Sequence, residues 1–140
     1  MKLHHFGIEV SDIDESIAFY IETLGFETSV PKTLEKDVNI LYTNLKCGNG
    51  VTLELIQYVG KSFSREVNLS NPPLCPHIAM ETHNFDETLK QLKKKNVGIF
   101  DGPHTIPGDV KILTILDPDG YRIDVGQLLN EASDSQSVKK

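Results

Sequence analysis

No stretch of this chain strings together the ~20 apolar residues that a membrane-spanning helix requires. The opening residues, Met1-Lys2-Leu3-His4-His5, also lack the apolar core of a secretory leader. The cytoplasm is the expected compartment, and no membrane partner is expected. Basic charge is scarce too: 14 Lys and Arg against 20 Asp and Glu leave a net charge of -6. That balance argues against a nucleic-acid partner, because phosphate binding relies on a basic face. The one basic cluster, Lys93-Lys94-Lys95, falls in an expected last helical turn, where cations complement the helix dipole. Cysteine is limited to Cys47 and Cys75, without a C-x-x-C spacing, so neither a zinc-thiolate nor a redox motif is supported. Both thiols are expected to be packed as small, buried or half-buried hydrophobes. What remains is an ordinary globular composition, 39% hydrophobic and 24% charged, in 140 residues. That is enough for one domain whose core needs no staples.

The informative feature is an internal repeat. His5-Phe6-Gly7-Ile8-Glu9-Val10-Ser11-Asp12-Ile13-Asp14-Glu15-Ser16-Ile17 aligns with His77-Ile78-Ala79-Met80-Glu81-Thr82-His83-Asn84-Phe85-Asp86-Glu87-Thr88-Leu89 at a constant offset of 72. Asp12 and Asn84 each precede a glutamate by three positions, Glu15 and Glu87, which is the pattern of a capping box. Both segments therefore predict strand, cap, helix. The first helix carries Ile17, Tyr20, Ile21 and Leu24 at helical spacing and stops at Gly25; the second carries Leu89 and Leu92 and stops at Gly98. Strands are expected over residues 26–31, 38–46 and 51–57, then over 99–101, 110–117 and 121–127. Turn chemistry stands at Cys47-Gly48-Asn49-Gly50 and Asp117-Pro118-Asp119-Gly120. The order is β-α-β-β-β twice, with modules at about 3–58 and 74–128, a polar linker at 59–73 and a disordered tail at 129–140. The segment from Gly102 to Gly108 reads as a loop, either inert or a mobile cover over a site.

Side chains alternate faces along a strand. Phe6, Ile8 and Val10 therefore point toward the helix layer while His5, Gly7 and Glu9 point away. The same parity sets Glu54 opposite Leu53 and Leu55, His77 opposite Ile78 and Met80, and Asp124 opposite Ile123 and Val125. Two histidines and two carboxylates thus project from the non-helical face, at matching places in the two modules. A single strand histidine is more often structural than ligating, but the repeated pair reverses that reading. Ionised groups isolated inside a sheet cavity cost several kcal/mol unless paired or metal-bound. A donor set of His5, Glu54, His77 and Asp124, with open water positions, suits one divalent ion: Ni, Co, Mn, Fe or Zn. Glu9 and Glu81 lie roughly 13 Å along the strand from each histidine, beyond ligation. They either line the cavity or face a dimer partner. His4, His83 and His104 have no repeat support and are read as surface or loop residues.

These residues carry a family resemblance. His5-Phe6-Gly7-Ile8, Ser16-Ile17-Ala18-Phe19-Tyr20 with Leu24-Gly25-Phe26, Leu53-Glu54-Leu55, His77-Ile78-Ala79 and Asp117-Pro118-Asp119-Gly120-Tyr121-Arg122-Ile123-Asp124 resemble the vicinal oxygen chelate superfamily over residues 3–128. That superfamily includes glyoxalase I, methylmalonyl-CoA epimerase, fosfomycin-resistance proteins, extradiol dioxygenases and bleomycin-binding proteins. The resemblance implies a single α+β domain whose two βαβββ modules form a curved mixed sheet around a metal-binding cleft. It also implies metal ligands at His5, Glu54, His77 and Asp124, a small-molecule substrate and a homodimer.

The chemistry implied is metal-dependent lyase or isomerase catalysis, with proton transfer next to a chelated carbonyl or enediolate. Glu54 is the first choice of base and Asp124 the second, since a carboxylate able to leave the metal can accept a proton. Two departures matter. The glyoxalase and epimerase pattern has glutamate where this chain has the shorter Asp124. Glutathione-dependent glyoxalases of the bacterial type place an arginine four residues after the first metal histidine, and this chain has Glu9 there. Arg122, on the Asp124 face, is the candidate for holding a substrate anion. The alternative is a non-catalytic small-molecule or antibiotic binder of the bleomycin-resistance type, which keeps the fold and lacks the metal set.

Overall fold

Two copies of one small sheet-and-helix unit make up the chain in the computed structural model, which describes residues 1–48, 50–66, 68–107 and 110–128. The tail at 129–140 lies outside the described residues, as does Asn49 of the first expected turn. The chain divides into two compact units, Met1–Val67 and Asn68–Lys140. Each contains a four-stranded mixed sheet and one helix, an α+β architecture. Among the described residues no helix is long and apolar enough to cross a membrane.

The first unit runs β1 (Phe6–Glu9), α1 (Ile13–Leu24), β2 (Glu27–Glu35), β3 (Ile40–Cys47) and β4 (Val51–Tyr58). Its sheet order is β1-β4-β3-β2, with β1 parallel to β4 and the other neighbours antiparallel. Helix α1 starts where the Asp12 carboxylate accepts from the Asp14 and Glu15 amides at 3.0 and 3.1 Å. It ends at Gly25, whose φ of 74° is the left-handed conformation glycine adopts without a Cβ penalty. The Gly25 and Phe26 amides then donate to Ile21 and Tyr20 carbonyls, both at 3.1 Å, closing the last turn. The face of α1 bearing Ile13, Ser16 and Tyr20 is buried and packs on β4, where Leu53 and Leu55 are shielded from solvent. Tyr20 meets Phe26 edge-on at 5.5 Å. Each such side chain removed from water contributes about 1.5–3 kcal/mol.

The second unit repeats this with β5 (His77–Glu81), α2 (Phe85–Lys94), β6 (Asp101–Ile106), β7 (Val110–Leu116) and β8 (Arg122–Leu128), in sheet order β5-β8-β7-β6. Asn84 caps α2 by accepting from the Glu87 amide at 3.0 Å. The reciprocal half of the expected box is replaced: the Asn84 amide donates to Thr82 Oγ1, and Glu87 instead accepts from Gln91. In the final turn the Asp117 carboxylate accepts from the Asp119 and Tyr121 amides, both at 2.9 Å, and leads the chain into β8.

Each last strand also fastens its own helix. Gln57 Oε1 accepts the Ile13 amide at 2.9 Å, and Gln127 Oε1 accepts the Phe85 amide at 2.7 Å. Both amides belong to first helical turns, where no intrahelical acceptor exists. Replacing Gln127 with Ala is expected to cost about 1–2 kcal/mol by orphaning that donor. The measurement is the urea unfolding midpoint, and an unchanged midpoint would mean that water substitutes fully.

Several expectations are corrected. Helix α2 ends at Lys94 rather than running to Gly98, because Asn96 takes the left-handed conformation (φ 57°) and the amides of Lys95, Asn96 and Val97 close the turn. Asparagine is the side chain that best tolerates this region. Strand β2 continues past Pro31 to Glu35, since at a sheet edge the missing proline donor interrupts no ladder, and register shifts between Thr28 and Thr33 absorb it. The segment from Gly102 to Ile106 is neither cover nor loop but part of edge strand β6, paired through His104↔Ile112 and Ile106↔Val110. Gly102 (φ 86°) is obligatory there, for a Cβ would lie 2.9 Å from the Ile112 carbonyl oxygen. Strand β1 begins at Phe6, so His5 immediately precedes it. Cys47 is half-buried, and burial pushes its thiol pKa up. Cys75 is exposed rather than packed, because it lies outside the strand ladder in the approach to β5.

Candidate metal centre

In both units the parallel register of first and last strand decides which side chains meet. Gly7 stands opposite Glu54, and Ala79 stands opposite Asp124. Each histidine lies two residues earlier on the same face and reaches diagonally toward the carboxylate. His5 Nε2 is 3.8 Å from Glu54 Oε2, and His77 Nε2 is 3.9 Å from Asp124 Oδ2. The small residue between them keeps this space open. A Cβ added at Gly7 would already touch Glu54 Oε1 at 3.5 Å, and Ala79 is the smallest side chain that carries one.

The separations are informative because they exceed hydrogen-bond range, about 3.5 Å at most. Two donors bound to one ion at about 2.0–2.2 Å each can stand no more than roughly 4.2 Å apart. Both pairs stand a few tenths of an ångström wider than the roughly 3.4 Å that separates two tetrahedral ligands, so a small closing of each would bring its imidazole nitrogen and carboxylate oxygen onto a divalent ion. All four side chains keep partial solvent access, 39% and 22% for His5 and Glu54, 38% and 26% for His77 and Asp124. Among the described residues of each unit, no third His, Cys, Asp or Glu joins its pair.

A second set of groups, not picked out by sequence reasoning, orients the pairs. On the strand antiparallel to each carboxylate's own, Asn44 faces Glu54 and Thr114 faces Asp124. Thr114 Oγ1 donates to Asp124 Oδ1 at 2.6 Å. Asn44, with its amide turned to satisfy its surroundings, donates to Glu54 Oε2 at 3.3 Å and to the Thr43 carbonyl oxygen at 3.2 Å. His4 Nδ1 lies 2.8 Å from His5 Nδ1, one ring donating to the other, the kind of partner that fixes a ligating histidine's orientation. Pro76 occupies the matching place in the second unit.

Other candidates divide. Glu9 is engaged by Ser64, whose amide donates to Oε1 at 3.1 Å and whose hydroxyl donates to Oε2. Glu81 lines a cavity of about 280 Å³ that extends from Asp124 between Ala79, Met80, Val110 and Ile112. Arg122 shares Asp124's face, donates through Nε and Nη2 to the Pro72 carbonyl oxygen at 3.1 and 2.9 Å, and lies 5.1 Å from the centre of the Phe100 ring. His83 is exposed, and its carbonyl accepts from Gln127. His104 is exposed too, but it sits in β6 near Asp101 at 3.8 Å rather than in a loop.

The family model described as Glyoxalase/Bleomycin resistance protein/Dioxygenase superfamily matches residues 2–125, and the chain belongs to that superfamily. It is similar to the metallothiol transferase FosB of Lysinibacillus sphaericus (strain C3-41), 29% identical over 127 residues, covering 88% of this chain and 79% of that protein. It is also similar to the mitochondrial methylmalonyl-CoA epimerase of Bos taurus, 27% identical over 120 residues, covering 84% and 67%. Among solved structures it resembles the trypanothione-dependent glyoxalase I of Leishmania major, with a TM-score of 0.71, 25% identity and coverage of 96% and 92%.

Proposed function

We propose that the chain is a divalent-metal-dependent lyase or isomerase that moves a proton next to a chelated carbonyl or enediolate of a small-molecule substrate. One observation carries this reading: the repeat sets two histidine–carboxylate pairs at 3.8 and 3.9 Å, within a small side-chain movement of ion-binding range. His5, Glu54, His77 and Asp124 would together hold one ion, Ni, Co, Mn, Fe or Zn, which when bound polarises substrate oxygen and stabilises developing negative charge. Glu54 acts as the principal base. Its anchor, Asn44, is longer than the Thr114 contact that pins Asp124, so Glu54 has more freedom to turn toward a substrate proton. Asp124, one methylene shorter and held by Thr114, positions the ion and is the second choice of base. Arg122 presents its remaining guanidinium N–H groups to a substrate oxygen. Similarity to an epimerase and to a glyoxalase I supports this class, and Glu9, where a glutathione-binding arginine would stand, weighs against a glutathione conjugate.

The test is solvent deuterium uptake into candidate 2-oxo hemithioacetals and 2-methyl acyl thioesters. The account expects exchange into at least one of them. A second reading, a non-catalytic small-molecule or antibiotic binder, is favoured by the apolar lining of the Asp124 cavity. It prevails if no compound exchanges a proton while an aromatic or cationic drug binds tightly.

We further propose that the protein works as a cytoplasmic homodimer. Edge strands β2 and β6 carry the exposed apolar side chains Leu34 and Ile106, an arrangement that natural sheets normally cover. Light scattering at micromolar concentration is expected to give twice the chain mass, and a strict monomer would contradict the proposal.

A further inference from the structure

The internal repeat makes Glu9 and Glu81 equivalents, yet the two carboxylates have different surroundings. Glu9 is occupied by the amide and hydroxyl of Ser64, which strap the segment after β4 back onto β1. Glu81 is exposed and accepts no hydrogen bond or ion pair among the described residues. It stands opposite Gly126, two residues along the same sheet face from the Ala79↔Asp124 pair, and both it and Gly126 line the Asp124 cavity. The walls between the two carboxylates are apolar, and no Lys or Arg contributes to the lining. Arg122 lies at the opposite side of Asp124, anchored on Pro72. The cavity is therefore oriented: Asp124 at one end, apolar walls in the middle and, at the far end, the Glu81 carboxylate with no cation beside it. A ligand that leaves that carboxylate unpaired gains nothing from it, and an anionic group there is repelled.

From this geometry we infer that Glu81 is a specificity-determining residue, and that the substrate taken by this cavity has a compact apolar body ending in a cationic ammonium-type group. The inference rests on reading the cavity beside Asp124 as the substrate cavity. It assigns the two repeat glutamates separate tasks: Glu9 holds the chain's own linker through Ser64, beside a cavity that Lys61 also lines, and Glu81 faces a cavity with no cation in its lining, where it can select a ligand. It also predicts that a polyanionic group is disfavoured at the Glu81 end of this cavity.

The experiment titrates the protein as purified with two probes of equal apolar body, phenethylammonium and 3-phenylpropionate, following backbone amide NMR shifts. Wild type is expected to bind phenethylammonium with shifts centred on Ala79, Glu81 and Gly126. The ratio of the two dissociation constants is expected to fall about tenfold in favour of the carboxylate probe in Glu81→Gln, the effect of removing one partly exposed charge from beside each probe. The spectrum itself reports that the variant is folded. Comparing the ratio between wild type and variant cancels any binding of 3-phenylpropionate to a metal ion. The matched change Glu9→Gln removes one negative charge equally and is expected to leave the ratio unchanged. The inference is overturned if the ratio in Glu81→Gln equals that of wild type, if Glu9→Gln shifts it as much, or if neither probe binds at millimolar concentration. Because no turnover is measured, a protein without proton-exchange activity can still satisfy this test, and an active one can fail it.

Discussion

Replacing Glu54 with Gln is expected to lower solvent deuterium uptake into whichever substrate the wild type exchanges by about 10²–10⁴-fold, the contribution typical of a positioned general base. Glutamine keeps the length and shape of the side chain, and Asn44 and Gly7 leave its surroundings unchanged. It retains an oxygen but not an anionic oxygen that can accept and hold the proton. His5, His77 and Asp124 remain as donors, so metal content should fall far less than the rate. The separation of those two readouts distinguishes loss of a base from loss of the ion. Should Glu54→Gln exchange normally while Asp124→Asn is inactive, the base is Asp124, and the Thr114 contact at 2.6 Å becomes part of its control.

Much of this arrangement was legible in the chain because the repeat and strand parity operate together. The offset of 72 between His5 and His77 located the first strands and caps, and period-two alternation put Glu54 and Asp124 on the face away from the helices. Asp12 and Asn84 cap their helices as their spacing predicts. Asn44 and Thr114 escaped notice because the offset changes to 70 in the later strands, where Asn44 corresponds to Thr114, Glu54 to Asp124 and Gln57 to Gln127. Strand parity still pairs Glu54 with Asp124, but an alignment held at 72 throughout hides the other two correspondences, and an amide replaced by a hydroxyl gives no composition signal. The misread segments have local causes. Pro31 and Pro103 look like strand breakers until their strands are known to be edges, and Gly98 looks like the natural helix stop until Asn96 takes the left-handed turn. Cys75 was expected to pack because cysteine usually does, a tendency that says nothing of a residue outside the strand ladder. The difference between Glu9 and Glu81 depends on Ser64, 55 residues from Glu9 in the chain, and no local pattern encodes it.

The most direct test of the account is metal content. The two histidines lie in different units and each meets its own carboxylate at nearly the same distance, 3.8 and 3.9 Å. If the two pairs hold a single ion, removing either imidazole takes away one protein donor of that ion. The penalty should then exceed the about 10–100-fold loss of affinity that a missing outer-shell partner causes. If the pairs were independent, or merely solvated polar neighbours, the two variants would not fail alike. Elemental analysis of freshly purified wild type, His5→Ala and His77→Ala, each folded by far-UV circular dichroism, is the decisive measurement. The account predicts one divalent ion per chain in wild type and near-complete loss in both variants. Full metal content in either variant, or no ion in the wild type after loading with Ni, Co, Mn, Fe or Zn, would contradict it.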